Sequence, residues 1–132
     1  MAGLTVDSGF LIALDHDERG AWAFWFSALN DGVQVTVPAP VVAQVWRGSR
    51  NARVAMALNA SHVEPLSALD ARAVGELLGR SNTADITDAC VVLSAGRRSD
   101  AIVTSDVGDI RRLVEFVPSV GQIIDVARIP RP

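Results

Sequence analysis

Ala101-Ile-Val-Thr-Ser-Asp-Val-Gly-Asp-Ile110 is the stretch on which the fold turns. Ala101 to Val103 is a short apolar run suited to a central parallel strand, and Thr104-Ser105-Asp106 supplies the polar residues that open a helix behind it. A strand ending on carboxylates, here Asp106 and then Asp109, places them where open α/β sheets keep their ligands. Leu4-Thr5-Val6 has the same form: a β-prone run that stops on Asp7-Ser8-Gly9 and leads into an apolar helical pattern. If the two strands lie side by side and parallel, Asp7 and Asp106 meet at one rim.

The rest of the chain alternates in the same way. Asp7-Ser8 caps a helix through Phe10, Leu11 and Leu14. From Arg19 to Asn30 the residues Trp22, Trp25, Phe26 and Leu29 recur at spacings of three and four, one face of a helix that Gly32 ends. Val33 to Val37 alternates as a strand. Pro38 and Pro40 open a helix carrying Val41, Val42, Val45 and Trp46, and a further helical segment runs from Asn51 to Leu58. His62 to Leu66 reads as an edge strand because Pro65 limits its pairing. Ser67 starts a helix that closes near Gly79, and the segment opened by Asp85 and Asp88 is helical to about Arg98. A helix from Val107 to Glu115 and a strand from Gln122 to Val126 follow, with a frayed tail over 126–132. Strands separated by helices predict a single α/β domain over 1–132, with a mostly parallel sheet between helices.

Composition narrows the function classes. The 132 residues carry a net charge of −3 and 49% hydrophobic residues, with no apolar stretch approaching the ~20 residues a membrane span requires. No basic, apolar and small-residue leader opens the chain, and the lone Cys90 suits a reducing compartment, so a cytoplasmic protein is expected. All 12 basic residues are arginine. The absence of lysine excludes receiver-domain and haloacid-dehalogenase-like chemistry, both of which use an aspartate after the first strand together with a lysine. No Gly-rich phosphate loop is present.

Four aspartates therefore carry the question. Asp85 and Asp88, three apart in the first turn of one helix, share a face and point toward its N-terminal end. Asp85 reads equally as a helix cap, which capping and the macrodipole both favour, and as a member of an acidic site. Asp88 lies inside the helix, directly before Ala89-Cys90-Val91-Val92-Leu93, where an unpaired carboxylate is costly. Asp7 and Asp106 can also be read as caps. Convergence weighs against four separate caps, because clustered carboxylates repel unless a cation neutralises them. Carboxylates without histidine or cysteine favour Mg²⁺ or Mn²⁺ over zinc. Such an ion suits phosphodiester hydrolysis by an activated water.

Val6-Asp-Ser-Gly-Phe-Leu-Ile-Ala-Leu14, Thr87-Asp-Ala89 and Thr104-Ser-Asp-Val-Gly-Asp-Ile110 resemble the motifs of a PIN domain, and the whole chain resembles the VapC toxins of bacterial toxin–antitoxin pairs. The resemblance implies a three-layer α/β/α PIN-like fold with a five-stranded sheet and a Mg²⁺- or Mn²⁺-dependent ribonuclease. It also implies a VapB-like antitoxin partner, an RNA substrate and a homodimer. Asp7, Asp88 and Asp106 match the family's acidic metal ligands and catalytic residues, and Asp85 and Asp109 match flanking acidic positions. Gln44 stands where the family usually has glutamate, which removes one charge. Ser8, Thr104 and Ser105 suit caps or donors that orient the carboxylates. Arg47, Arg50 and Arg53 offer a track for RNA beside the Gln44 helix. The aromatic stripe is mainly core, with Trp22 and Trp25 contributing to a groove for an antitoxin helix. A catalytically silent PIN-like module that binds RNA or protein is the reading of a different class, with Gln44 as its mark.

Overall fold

The computed structural model describes residues 2–130. The chain runs β1 (Leu4–Val6), α1 (Ser8–Asp15), α2 (Arg19–Asn30), β2 (Val35–Pro38), α3 (Ala39–Val45), a 3-10 turn (Ser49–Asn51) and α4 (Ala52–Asn59). It continues through β3 (His62–Glu64), α5 (Ala68–Ser81), α6 (Ile86–Arg98), β4 (Ala101–Thr104), α7 (Val107–Val114), β5 (Ile123–Asp125) and a closing 3-10 turn (Val126–Arg128). The sheet order is β3-β2-β1-β4-β5, and every neighbouring pair is parallel. This is a three-layer α/β/α arrangement with helices on both faces. Among the described residues no helix is long and apolar enough to cross a membrane.

The strand order explains where the chemistry sits. The chain moves outward from β1 through β2 to the edge strand β3, then returns to pair β4 against the other side of β1. At such a reversal the connections leave in opposite directions and open a crevice at the carboxyl ends of the two strands. Asp7 follows β1 and Asp106 follows β4, so both stand at that point. Every residue of β1 is buried, as expected of a central parallel strand, and Val6, Ile102 and Val103 are fully enclosed. Phe10, Leu11 and Leu14 of α1 join them, as do Val91 and Val92 of α6. Burying each such side chain contributes roughly 1.5–3 kcal/mol, which holds the helix starts firmly against the strand ends.

The structure departs from the sequence reading in several places. α5 does not close at Gly79. It runs on to Ser81, where Asn82 adopts the left-handed conformation (φ 54°) that ends the helix, a conformation asparagine accepts more readily than other non-glycine residues. Its start follows the sequence closely: the Ser67 and Asp70 side chains each accept from the other's backbone N–H, a complete capping box.

The aromatic stripe divides. Trp25 is buried and Trp22 nearly so, its indole Nε1–H donating to the Leu14 carbonyl at 3.0 Å, so neither is free to line a docking groove. Phe26, by contrast, is half exposed beside Trp22, and Trp46 projects beyond the end of α3.

The chain after 125 is not frayed as far as it is described. Asp125 caps the final turn by accepting from the Ala127 N–H at 2.9 Å, and Ile129 packs against the core. A side chain at Gly20 would meet the Pro130 carbonyl at 3.0 Å, so the tail lies tight against the start of α2. Val126 and Ile129, three apart, give this turn an apolar face to bury. Residues 131 and 132 lie outside the described residues.

Candidate metal centre

Three carboxylates from three separate elements meet at the rim. Asp7, the N-cap of α1, is buried and accepts from the Phe10 N–H at 3.3 Å. Its other oxygen accepts from the Thr104 hydroxyl, and that hydroxyl in turn accepts the Asp106 N–H at 2.9 Å. A hydroxyl can donate once and still accept, so Thr104 locks the end of β1 to the end of β4. Asp88 enters from the first turn of α6, its N–H held by the Asp85 carboxylate at 2.9 Å. Asp106 begins α7 but caps nothing with its side chain, which leaves its exposed carboxylate free to face the other two. Asp7, Asp88 and Asp106 each offer an oxygen, and the three oxygens lie within 4.8 Å of one another.

The electrostatics are those of a site lacking its counter-charge. Burial raises the Asp7 pKa, against the lowering effect of its hydrogen bonds from Thr104, Phe10 and Gly9, and Asp106 raises it further. Asp88 is pushed up to about 7, first by burial and then by Asp85, Asp106, Asp7 and Asp109. Its Oδ2 is enclosed and has no hydrogen-bond partner among the described residues. A buried, unpartnered carboxylate oxygen among like charges is costly in any state except one that gives it a proton or a cation.

The donor set fits a small, hard divalent ion, because it consists of carboxylate oxygens alone. Asp7, Asp88 and Asp106 would hold such an ion, each through one carboxylate oxygen.

The remaining sequence-predicted residues fall into distinct positions. Asp85 is exposed and serves as the N-cap of α6, the capping alternative, while its charge still reaches Asp88. Asp109 lies exposed in the first turn of α7 and acts on Asp88 in the same way. Ser8 is half-buried at the start of α1, and Ser105 is exposed at the rim. Gln44 is exposed on α3, a helix packed against α1 and α6, and it is not one of the three groups that converge. Arg47 folds back onto the Ala43 and Trp46 carbonyls at 3.2 and 2.7 Å, and Arg53 turns to Asp17 at 3.6 Å and the Asp15 carbonyl at 3.4 Å.

One residue of the site escaped the sequence reading. A Cβ at Gly9 would stand 2.0 Å from Ser105 Oγ and 3.3 Å from Asp7 Oδ1, so only glycine lets the start of α1 approach the loop that carries Asp106. The signal was the glycine itself, one residue into a helix that otherwise favours larger side chains.

Among solved structures, the chain is similar to a chain in the structure of VapBC2 from Rickettsia felis bound to a DNA fragment from their promoter. That match has 12% identity and a TM-score of 0.69, and it covers 92% of this chain and 97% of that one. It is also similar to PAE2754 from Pyrobaculum aerophilum, at 18% identity and a TM-score of 0.60, over 96% of this chain and 85% of that one. No family model matches the sequence, and no curated protein does. At these identities the likeness is one of fold, and the fold is PIN-like.

Proposed function

We propose that this chain is a Mg²⁺- or Mn²⁺-dependent ribonuclease of the VapC type, the toxin of a toxin–antitoxin pair acting in the cytoplasm. The observation that carries the reading is the convergence of Asp7, Asp88 and Asp106 from three elements at the switch point, with Asp88 Oδ2 left without a partner. Four separate capping roles do not account for it: Asp106 makes no cap bond, and Asp88 is held by a cap rather than acting as one.

Asp7, Asp88 and Asp106 would hold the ion, which when bound supplies a polarised phosphate and a water of lowered pKa. The chain's own residues do the rest. Thr104 fixes the Asp7 carboxylate and the Asp106 backbone relative to each other, so two ligands from different strands keep one geometry. The Phe10 N–H holds the other Asp7 oxygen. Asp85 anchors the first turn of α6 so that Asp88 faces the rim, and Asp85 and Asp109 add negative potential that favours cation uptake. The VapBC2 neighbour is described as a complex on promoter DNA, which supports a VapB-like antitoxin as partner. A homodimer belongs to the same proposal.

The test is cleavage of single-stranded RNA with Mg²⁺ or Mn²⁺ by the wild type, Asp7→Asn and Asp106→Asn. Each substitution removes a ligand charge at nearly constant volume, so cleavage is expected to vanish while the fold persists. Wild-type rates in either variant would sink the assignment. RNA or protein binding without cleavage, and without any rise in melting temperature on adding Mg²⁺, would instead mark the silent module.

A further inference from the structure

The acidic rim accounts for cleavage chemistry but not for how a polyanion is held beside a cluster of carboxylates. Several of the described arginines are already engaged, while Arg19, Arg50, Arg72 and Arg80 stand apart from the groove between α7 and the closing turn. Arg97 and Arg98 are engaged by Glu64, Asp70 and Asp100, Arg112 donates twice to the Ser81 carbonyl, and Arg47 and Arg53 are turned back onto their own surroundings. Two of the remaining arginines share one concavity. Arg111 of α7 and Arg128 of the closing turn line a groove of about 390 Å³ whose apolar wall includes Phe24, Val107, Ile124 and Ile129. Arg111 is exposed, and Arg128 is 89% exposed and held only at 3.9 Å by Asp125.

The position of this groove ties it to the carboxylates. Val107, in its wall, directly follows Asp106 in the chain. Ser105, directly before Asp106, lines the adjoining hollow under the start of α2, and Ile129 borders both. The two hollows therefore flank the Asp106 loop with the C-terminal turn between them. The groove's volume lies in the range of pockets that enclose small organic groups, roughly 300–1,000 Å³. Two exposed cations beside an apolar wall with an aromatic ring is the composition that takes a phosphate backbone together with an unstacked base. A duplex keeps its bases stacked inward and cannot present one to such a wall.

We propose that the groove between α7, β5 and the C-terminal turn holds single-stranded RNA beside the carboxylates, its phosphates on Arg111 and Arg128 and a base against Phe24, Ile124 and Ile129. This rests on the ribonuclease reading of the rim and selects the α7 side over the Arg47–Arg53 side as the substrate track. It also gives the segment from Val126 to Pro130 a function, as one wall of the substrate site.

The experiment is fluorescence anisotropy of a labelled oligo-uridylate in EDTA across a salt series, which reads binding without cleavage. The proteins are the wild type, the double variant Arg111→Ala/Arg128→Ala and the triple variant Arg47→Ala/Arg50→Ala/Arg53→Ala, with circular dichroism melts to verify folding. Each arginine–phosphate ion pair removed from a single-stranded complex lowers the slope of log K against log salt by about 0.7, so the double variant is expected to lose about 1.4 and the triple variant nothing. A double variant with the wild-type slope overturns the proposal, as does equal binding of duplex RNA or displacement of the oligonucleotide by polyglutamate at equal charge. A separate Mn²⁺ cleavage assay distinguishes the two levels. Wild-type cleavage with an unchanged KM in the double variant removes this groove and leaves the ribonuclease standing. A wild type that neither binds nor cleaves removes both.

Discussion

Thr104 shows how much of the site hangs on one hydroxyl. It is fully buried, donates to Asp7 and accepts from the Asp106 N–H, so its loss unpairs two groups at once. Thr104→Val keeps the shape and removes both bonds. The expected cost is about 1–3 kcal/mol of stability from the unpaired N–H and the loosened carboxylate, with weaker Mn²⁺ binding by calorimetry. Thr104→Ser should recover most of both, and a valine variant that binds Mn²⁺ as tightly as the wild type would show that the lock is not needed. The three carboxylates were legible in the sequence because each closes a strand or opens a helix, and topology alone carries those positions to one rim. The sequence offered Ser8, Thr104 and Ser105 alike as caps or orienting donors, and it is Thr104 whose hydroxyl donates to Asp7. The stranded Asp88 oxygen was not: the sequence marks the residue as costly to bury, but only packing decides which oxygen finds a partner.

At the scale of elements, the site depends on how closely α1 comes to the loop between β4 and α7. A Cβ at Gly9 would also meet Ser105 Cβ at 2.6 Å, so Gly9→Ala forces the two strand-end turns apart. The displaced loop is the one that carries Asp106, so metal affinity should fall more steeply than thermal stability. Ser105→Gly in the same chain removes both clashing atoms and should restore Mn²⁺ binding toward the wild type, whereas a double variant no better than Gly9→Ala alone would place the damage elsewhere. The boundaries that the sequence places well are those set by side-chain chemistry, such as the Ser67 capping box and the prolines that open α3. Those it misplaces were decided by partners distant in the chain. The end of α5 passes Gly79 to the buried Ser81, whose carbonyl accepts from Arg112 of α7, and Asn82 then supplies the left-handed turn. The closing turn stays ordered because Gly20 leaves room for it.

At the scale of the whole molecule, charge is sorted to opposite ends of α6. Arg98, at its C-terminal end, donates to Asp100 at 2.9 Å, to Glu64 at 2.6 Å, and to Thr5 and Ser94. The sequence offers Arg97-Arg98 only as a solvated face, since partners 34 and 93 residues away are joined by the fold alone. Asp88 sits near the other end of the same 13-residue helix, about 15 Å from Arg98 at 1.5 Å per residue, out of reach of those arginines. The folded protein therefore carries a carboxyl whose pKa rises from 3.8 to about 7, and among the described residues no cation lowers it.

A group that holds its proton more tightly when folded favours the folded state at low pH. The contribution is complete below about pH 4 and is lost as pH rises toward 7, amounting to at most on the order of 4 kcal/mol. Burial of Asp7 acts in the same direction. Denaturant melts in EDTA should thus show stability falling between pH 5 and 8. Mn²⁺ should restore it mostly at pH 8, where the deprotonated cluster can take the ion. Asp88→Asn has no proton to lose there, so its stability should be flatter across that range and its response to Mn²⁺ smaller. A wild-type profile that does not fall, or an Asp88→Asn profile that falls as steeply, would show that the strain on this carboxylate is relieved by something other than a proton or a metal ion.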